Sequence, residues 1–148
     1  MTKVYKLTEA DITATERISH LLNSLRSAPV PLDIDQLNTL LSDDGFNLFV
    51  AENHTGAIIG ILTLTRCRTL AGDKVWIEDV IVDENCRRTG AGRALVKAAV
   101  DHASIAFKGS TIWLTSNPSR VEARNLYRSE GFEEYETGVF RISPPKQG

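Results

Sequence analysis

The chain has 148 residues, of which 42% are hydrophobic, and a formal net charge of -2 at pH 7 with a pI near 5.9. This length and apolar content suit one domain with a single core over residues 1–148, with residues 142–148 as a flexible tail. The mild acidity argues against nucleic-acid binding, because a surface that follows phosphates needs an excess of Lys and Arg.

Targeting and metal-binding signals are missing from the sequence. The first residues lack the apolar run of a signal peptide, and no apolar run approaches the roughly 20 residues that span a bilayer. The two cysteines, Cys67 and Cys86, form no Cys-X-X-Cys pair, and the three histidines are scattered, so no metal site is expected. We therefore expect a cytoplasmic protein with reduced thiols that does not bind membranes.

The first half of the chain predicts a strand, two helices and a hairpin, in that order. Residues 3–7 form a short strand, and the helix that follows has an apolar stripe ending at Leu25. Asp33 can cap a second helix. From residue 46 to 65 the apolar residues alternate, which predicts a β-hairpin, and a strand from Lys74 extends it into an antiparallel meander.

The second half alternates strands with helices. A strand over residues 76–82 leads through a polar link to a helix around Leu95, and a strand over residues 111–115 leads to a last helix that ends at Gly131. Residues 132–142 then return as one or two strands. This order predicts a mixed α/β (α+β) fold, with a central mixed, mostly antiparallel sheet of six to seven strands flanked by about four helices.

The stretch from Trp76 to Leu95 carries unusual chemistry. Glu78 and Asp79 lie inside an otherwise apolar strand, where a buried charge is costly unless something pairs with it or uses it. Residues 87–92, Arg-Arg-Thr-Gly-Ala-Gly, combine glycines that permit close backbone approach with cations and a helix start, which attracts anions. A P-loop sequence and the third glycine of a dinucleotide fingerprint are both missing. The stretch therefore predicts a site for one small polyanion beside a carboxylate-bearing strand.

Three spaced motifs together resemble the GNAT superfamily of N-acetyltransferases. The Arg-X-X-Gly-X-Gly element of residues 87–92 is similar to its acyl-CoA pyrophosphate loop, and residues 77–82 look like its central strand. Residues 123–132, Ala-Arg-Asn-Leu-Tyr-Arg-Ser-Glu-Gly-Phe, are similar to its Ala-X-X-Leu-Tyr-X-X-X-Gly-Phe signature. The order of elements also agrees over nearly the whole chain. One departure is Arg120, since many members have Asn at that position and here Asn117 lies three residues earlier.

The resemblance implies an acetyl-CoA-dependent N-acetyltransferase of GNAT fold that uses no metal. It implies direct transfer of the acetyl group to a primary amine of a small molecule or of a peptide or protein, with Tyr127 donating a proton to the departing thiolate and a backbone N–H near Val80 facing the oxyanion. A homodimer is compatible with it. The CoA-binding residues that it suggests are Val80, Ile81, Val82, Arg87, Arg88, Thr89, Gly90, Ala91, Gly92, Arg93, Asn117 and Arg120.

Several alternatives stay open from the sequence. Glu78 is the first candidate for the base that deprotonates the amine and Asp79 is the second, because neighbours in a strand point to opposite faces unless a bulge intervenes. Tyr127 could instead be a core aromatic residue, although we favour catalysis. Cys86 could form an acyl-enzyme in principle but has no activating partner in the sequence, and the resemblance implies direct transfer in a ternary complex, so we reject the covalent route. The competing function is a non-catalytic acyl-CoA-binding or regulatory module, and the sequence does not identify the acceptor amine.

Overall fold

The computed structural model of the protein describes residues 2–146. Within this range five strands form one sheet in chain order. The strands are β1 (Lys3–Leu7), β2 (Phe46–Glu52), β3 (Ile58–Thr69), β4 (Gly72–Val82) and β5 (Ile112–Trp113). The helices are α1 (Ile12–Asn23), α2 (Ile34–Leu41), α3 (Ala91–Ala106) and α4 (Val121–Ser129), with a short 3-10 turn at Glu84–Cys86 before α3.

The sheet is mixed and mostly antiparallel, as the sequence predicts. Strands β1 to β4 pair antiparallel with their neighbours, and β5 pairs parallel with β4. This arrangement confirms the predicted fold class and the four flanking helices. None of the helices within residues 2–146 combines the length and the apolar character needed to cross a membrane.

The two faces of the sheet pack against different helices. On the face that we call the α3 face, Leu62, Leu64 and Ile77 pack with α3 and with Tyr127 of α4. On the opposite face, the α1–α2 face, Ile61 packs with apolar residues of α1 and α2, including Leu21 and Leu37. Alternation along each strand sends successive side chains to opposite faces, so every central strand contributes to both clusters.

The first two helices begin at aspartate caps. The Asp11 carboxylate accepts the Ala14 N–H at 2.7 Å, and Asp33 forms a reciprocal capping box with Gln36. The predicted cap at Asp33 is confirmed. The extension of the first helical stripe to Leu25 is wrong, because α1 ends at Asn23 and Leu25 is 67% exposed.

The end of α1 is fixed by one side chain that binds the loop. The Asn23 Oδ1 accepts the Val30 N–H at 2.7 Å, and its Nδ2 donates to the Val30 carbonyl at 3.0 Å. A carboxamide that satisfies both backbone groups of one residue acts as a local clamp. The two bonds join the last residue of α1 to Val30, and Leu25 lies in the loop between them.

The prediction of six to seven strands is wrong in number, because residues 2–146 contain five strands and residues 132–142 form none. The side chain of Glu134 pairs with Arg124 at 2.7 Å and with Arg128 at 3.7 Å, which holds the segment against α4. Tyr135 then packs edge-on against Trp113, with ring centroids 5.1 Å apart. Beyond it Val139, Phe140 and Ile142 are between 77% and 98% exposed. Of the predicted tail, residues 147 and 148 lie outside the described range.

Candidate active site

Strand β4 has one backbone edge that is only partly paired. Its pairing with β3 continues to Val82, whereas its pairing with β5 is limited to Val75 with Ile112 and Trp76 with Trp113. The predicted strand over residues 111–115 is therefore correct in place and too long. Beyond Trp76 the two strands separate, and the β5-facing backbone of residues 77–82 has no strand partner within the described chain. This free edge can accept an extended ligand that carries amides.

A β-bulge lies in the same part of β4. Leu62 pairs with Val80 and Leu64 pairs with Ile77, so two residues of β4 stand opposite one residue of β3. Ile77 and Val80 both pack on the α3 face although they are three positions apart. Of the two residues between them, Asp79 lies on the α1–α2 side, where it bonds to Thr63 and lines a cleft, and Glu78 is exposed. The bulge thus breaks the strict alternation that would send the two carboxylates to opposite faces.

Helix α3 begins at the end of β4 with free backbone donors. Gly90 is its N-cap, with φ 85° and ψ 4°, and no side chain caps the helix. Helices α1 and α2, in contrast, each have one N–H of the first turn bound by a cap carboxylate, Ala14 by Asp11 and Gln36 by Asp33. Uncapped N–H groups and the helix dipole together attract anions such as phosphate. Helix α3 therefore begins with unbound donors at the place where the sequence predicts an anion site, and the site itself stays a prediction.

The link before α3 is sharply turned. Arg88 has φ 65°, a left-handed conformation that is uncommon for a residue with a side chain. The Thr89 hydroxyl donates to the Cys86 carbonyl at 2.6 Å, and this bond stabilises the turn between the two residues. A Cβ built on Gly92 would lie 3.5 Å from Leu126 and 3.8 Å from Val82. The loop, the end of β4 and helix α4 therefore meet at Gly92.

The three arginines around this loop have different surroundings. Arg88 forms an exposed pair with Glu122 at 3.1 Å, a contact of little energetic weight in water. Arg93 donates to Glu130 at 2.7 Å and to Ser129 at 2.9 Å, which directs it to the end of α4. Arg87 forms no ion pair within residues 2–146. Arg87 and Arg88 are thus available to an anion, and Arg93 is engaged in joining α3 to α4.

Tyr127 lies within the apolar cluster of the α3 face. Its side chain is buried, and its ring packs edge-on against Phe132 with centroids 6.1 Å apart. Val80, Val82 and Leu114 pack against the same cluster, so Tyr127 shares it with the part of β4 that lies beyond the pairing with β5. Burial raises the pKa of Tyr127 above its ordinary value, and the positive charge of Arg120 offsets part of this rise. The phenol therefore keeps its proton at neutral pH and can donate it.

The two remaining residues that are predicted to contact CoA, Asn117 and Arg120, lie at the start of α4. The Asn117 Oδ1 accepts the Ser119 N–H at 2.9 Å, and its carbonyl accepts the Arg120 N–H at 3.0 Å, so Asn117 shapes the turn into the helix. Arg120 is the N-cap of α4 and makes no side-chain cap bond. Just before this turn, the Ser116 Oγ is buried and finds no partner in the described chain. One buried polar group therefore lacks a partner in the segment between β5 and α4.

Two clefts lie on the α1–α2 side of the sheet. The wider one, about 600 Å³, opens between α1 and the start of α2 and is lined by Glu16, His20 and Asp33 among others. The narrower one, about 80 Å³, has mostly apolar walls with Asp79 in its lining. Asp79 is therefore on the side of these clefts, whereas Tyr127 belongs to the cluster on the α3 face.

The family of the chain follows from comparison with known proteins. Residues 13–132 match the model of the acetyltransferase (GNAT) family. The chain therefore belongs to this family, as its motifs suggest. Over 60 residues, this chain is also 28% identical to the spermine/spermidine N(1)-acetyltransferase of Bacillus subtilis (strain 168). That match spans about 40% of each of the two chains.

Solved structures share the whole fold. An aminoglycoside acetyltransferase from an uncultured soil metagenomic sample, solved in complex with trehalose, has a TM-score of 0.82 and 24% identity, covering 98% of this chain and 97% of that one. Glucosamine-6-phosphate N-acetyltransferase from Arabidopsis thaliana has a TM-score of 0.78 and 20% identity, covering 96% and 98%. Because both identities are below 25%, these similarities establish the fold alone.

Proposed function

We propose that the protein is an acetyl-CoA-dependent N-acetyltransferase that transfers the acetyl group directly to a primary amine. The observation that carries this proposal is the free edge of β4, which runs from the carboxylates at its bulge to the uncapped start of α3. An extended arm bearing amides can bind along such an edge as an additional strand would. A pyrophosphate at the end of the arm would then meet the N–H groups of α3. Acetyl-CoA has both parts in this order.

The chemistry assigned to the chain needs a base, an oxyanion donor and an acid. Glu78 or Asp79 accepts a proton from the acceptor ammonium on the α1–α2 side, and the resulting neutral amine attacks the thioester carbonyl. A backbone N–H near Val80 on the free edge stabilises the developing oxyanion. Tyr127, from the α3 side, donates its proton to the departing thiolate. The two proton transfers thus occur on opposite sides of the opening, so the amine and the thioester can approach from different faces.

We further propose a cationic small-molecule amine as the acceptor. Carboxylates of Glu16 and Asp33 line the wider cleft, and Asp79 lies in the narrower one. Negative side chains around a cleft raise the local concentration of cations and orient them. The similarity to enzymes named for spermine, spermidine and aminoglycosides, all of which are amines, supports the same class.

Titration with CoA, followed by backbone amide NMR, tests the placement of this site. We expect the amides of Val80 and Val82 and those of residues 88–92 to shift together, because they line one continuous binding path. Amides around Asp11 at the start of α1 serve as the internal control, since that helix start is already capped by a side chain. Shifts confined to the cleft between α1 and α2 would show that the site has been placed on the wrong side of the sheet.

A further inference from the structure

The bulge in β4 leaves a backbone group without a hydrogen-bond partner in the ladder between β3 and β4. Where two residues of one strand face one residue of its partner, the extra residue loses its regular hydrogen bonds. A buried N–H without a partner is costly, so native proteins satisfy such groups by other means. Here the residue opposite the bulge is Thr63 of β3.

The hydroxyl of Thr63 closes the bulge by making two hydrogen bonds to the same residue. The Asp79 N–H donates to the Thr63 Oγ1 at 3.0 Å, and this hydroxyl donates to the Asp79 Oδ2 at 2.9 Å. Thr63 is only 5% exposed, so these bonds are sheltered from water. One side chain therefore fixes both the backbone and the carboxylate of Asp79.

The fixed carboxylate lies in the lining of the narrower cleft. Leu22, Leu32 and Phe46 contribute apolar walls to this cleft, and Thr63 and Asp79 contribute polar atoms. The second oxygen of Asp79 makes no hydrogen bond within residues 2–146. A carboxylate that is held on one side and free on the other has a defined direction in which to bind a cation.

We propose that Thr63 is a positioning residue for acetyl transfer, which holds the β4 bulge and aims the Asp79 carboxylate at the acceptor amine. The inference rests on the proposed function for its catalytic part. Its structural part, that the hydroxyl holds the bulge, stands on the two hydrogen bonds alone. Thr63 does not itself touch the reacting groups, so its loss acts through Asp79.

Three variants separate positioning from simple stability. Thr63→Val keeps the shape of the side chain and removes the hydroxyl, whereas Thr63→Ser keeps the hydroxyl. Thr65→Val is the matched control, since Thr65 lies on the same strand and face, two residues beyond the bulge. Amide hydrogen exchange in the absence of ligand measures the protection of the Asp79 N–H, and steady-state kinetics with acetyl-CoA measure kcat and KM.

In Thr63→Val we expect the Asp79 amide to exchange about tenfold faster or more, because its acceptor is gone. We also expect kcat to fall about tenfold with little change in the KM for acetyl-CoA, since the CoA path is untouched. Thr63→Ser should restore both values, and Thr65→Val should resemble the wild type.

Unchanged exchange at Asp79 in Thr63→Val would overturn the inference, since the hydroxyl would then not hold the bulge. Faster exchange with unchanged kcat would reduce Thr63 to a structural residue and would also overturn positioning. If the wild type acetylates no amine, the proposed function fails and the catalytic part of the inference fails with it. The exchange measurement still decides the structural part in that case.

Discussion

Replacing Tyr127 by Phe should lower kcat at least about 100-fold, which is the lower end of the contribution of a positioned proton donor. The affinity for CoA should stay nearly unchanged, because the variant keeps the ring that packs against Phe132 and removes only the hydroxyl. Steady-state thiol release gives kcat, and calorimetric titration with CoA gives the affinity.

The role of Tyr127 as proton donor also predicts how the activity of the wild type depends on pH. Burial raises the pKa of Tyr127 above its ordinary value, so its proton is present through the neutral range and is lost only at higher pH. Activity that depends on this proton should therefore persist to at least the ordinary tyrosine pKa of about 10 before it falls.

Tyr135→Phe is the matched control for Tyr127→Phe. It makes the same chemical change in a tyrosine that is 68% exposed and packs on Trp113, outside the buried cluster of the α3 face. We expect wild-type kcat in this variant. A Tyr127→Phe enzyme that turns over at the wild-type rate would remove Tyr127 from the mechanism and leave it as a core residue.

The second large effect is expected at the start of α3. Replacing Gly90 by Trp should weaken CoA binding by about 100-fold or more, equivalent to about 2.7 kcal/mol. A Cβ at this position meets nothing within 4 Å, so the indole can extend into the space in front of the helix start, where the pyrophosphate would lie. Calorimetric titration with CoA measures the loss.

The substitution at Gly90 can also destabilise the fold, so it is compared with a control variant. Its φ of 85° is left-handed, so any side chain there costs about 1–2 kcal/mol in the folded state. Gly109 has the same φ of 85° and the same free space, and it lies beyond the other end of α3. Gly109→Trp should therefore lose similar stability in urea unfolding and keep its affinity for CoA. Equal affinities of the two variants for CoA would mean that the start of α3 does not bind the pyrophosphate.

Motif spacing was enough to predict the elements that build the site. The order of strands and helices, the cap at Asp33 and the helix that starts after Gly90 all depend on local patterns of a few residues. Local patterns are readable because caps, turns and amphipathic faces are encoded within about one or two turns of chain. The assignments of Glu78, Asp79, Tyr127 and the CoA contacts to roles stay predictions.

Features that depend on register between strands could not be predicted. The bulge at Glu78 and Asp79 arises from how β4 pairs with β3, and a sequence does not state which residue faces which. For the same reason Thr63 was missed, although a polar residue within the apolar run of β3 was a visible signal. The pair of Arg93 with Glu130 joins positions far apart in the chain and was equally hidden.

The overestimate of strand number has a related cause. Residues 132–142 have a composition suited to strands, yet a strand exists only where a neighbour completes its hydrogen bonds. Glu134 is instead held by Arg124 and Arg128 of α4. The expectations of a homodimer and of a cytoplasmic location likewise stay predictions.

The central claim is that the chain transfers acetyl groups to amines, and the most direct measurement is thiol release from acetyl-CoA across a panel of amines. The panel should include polyamines, aminoglycosides, amino acids and a lysine-containing peptide. We predict release that depends on the amine, with one acetylated amine formed for each thiol and the highest rates among the cationic small molecules. Binding of acetyl-CoA with no amine-dependent release on any member would contradict the claim and would favour a non-catalytic acyl-CoA-binding module.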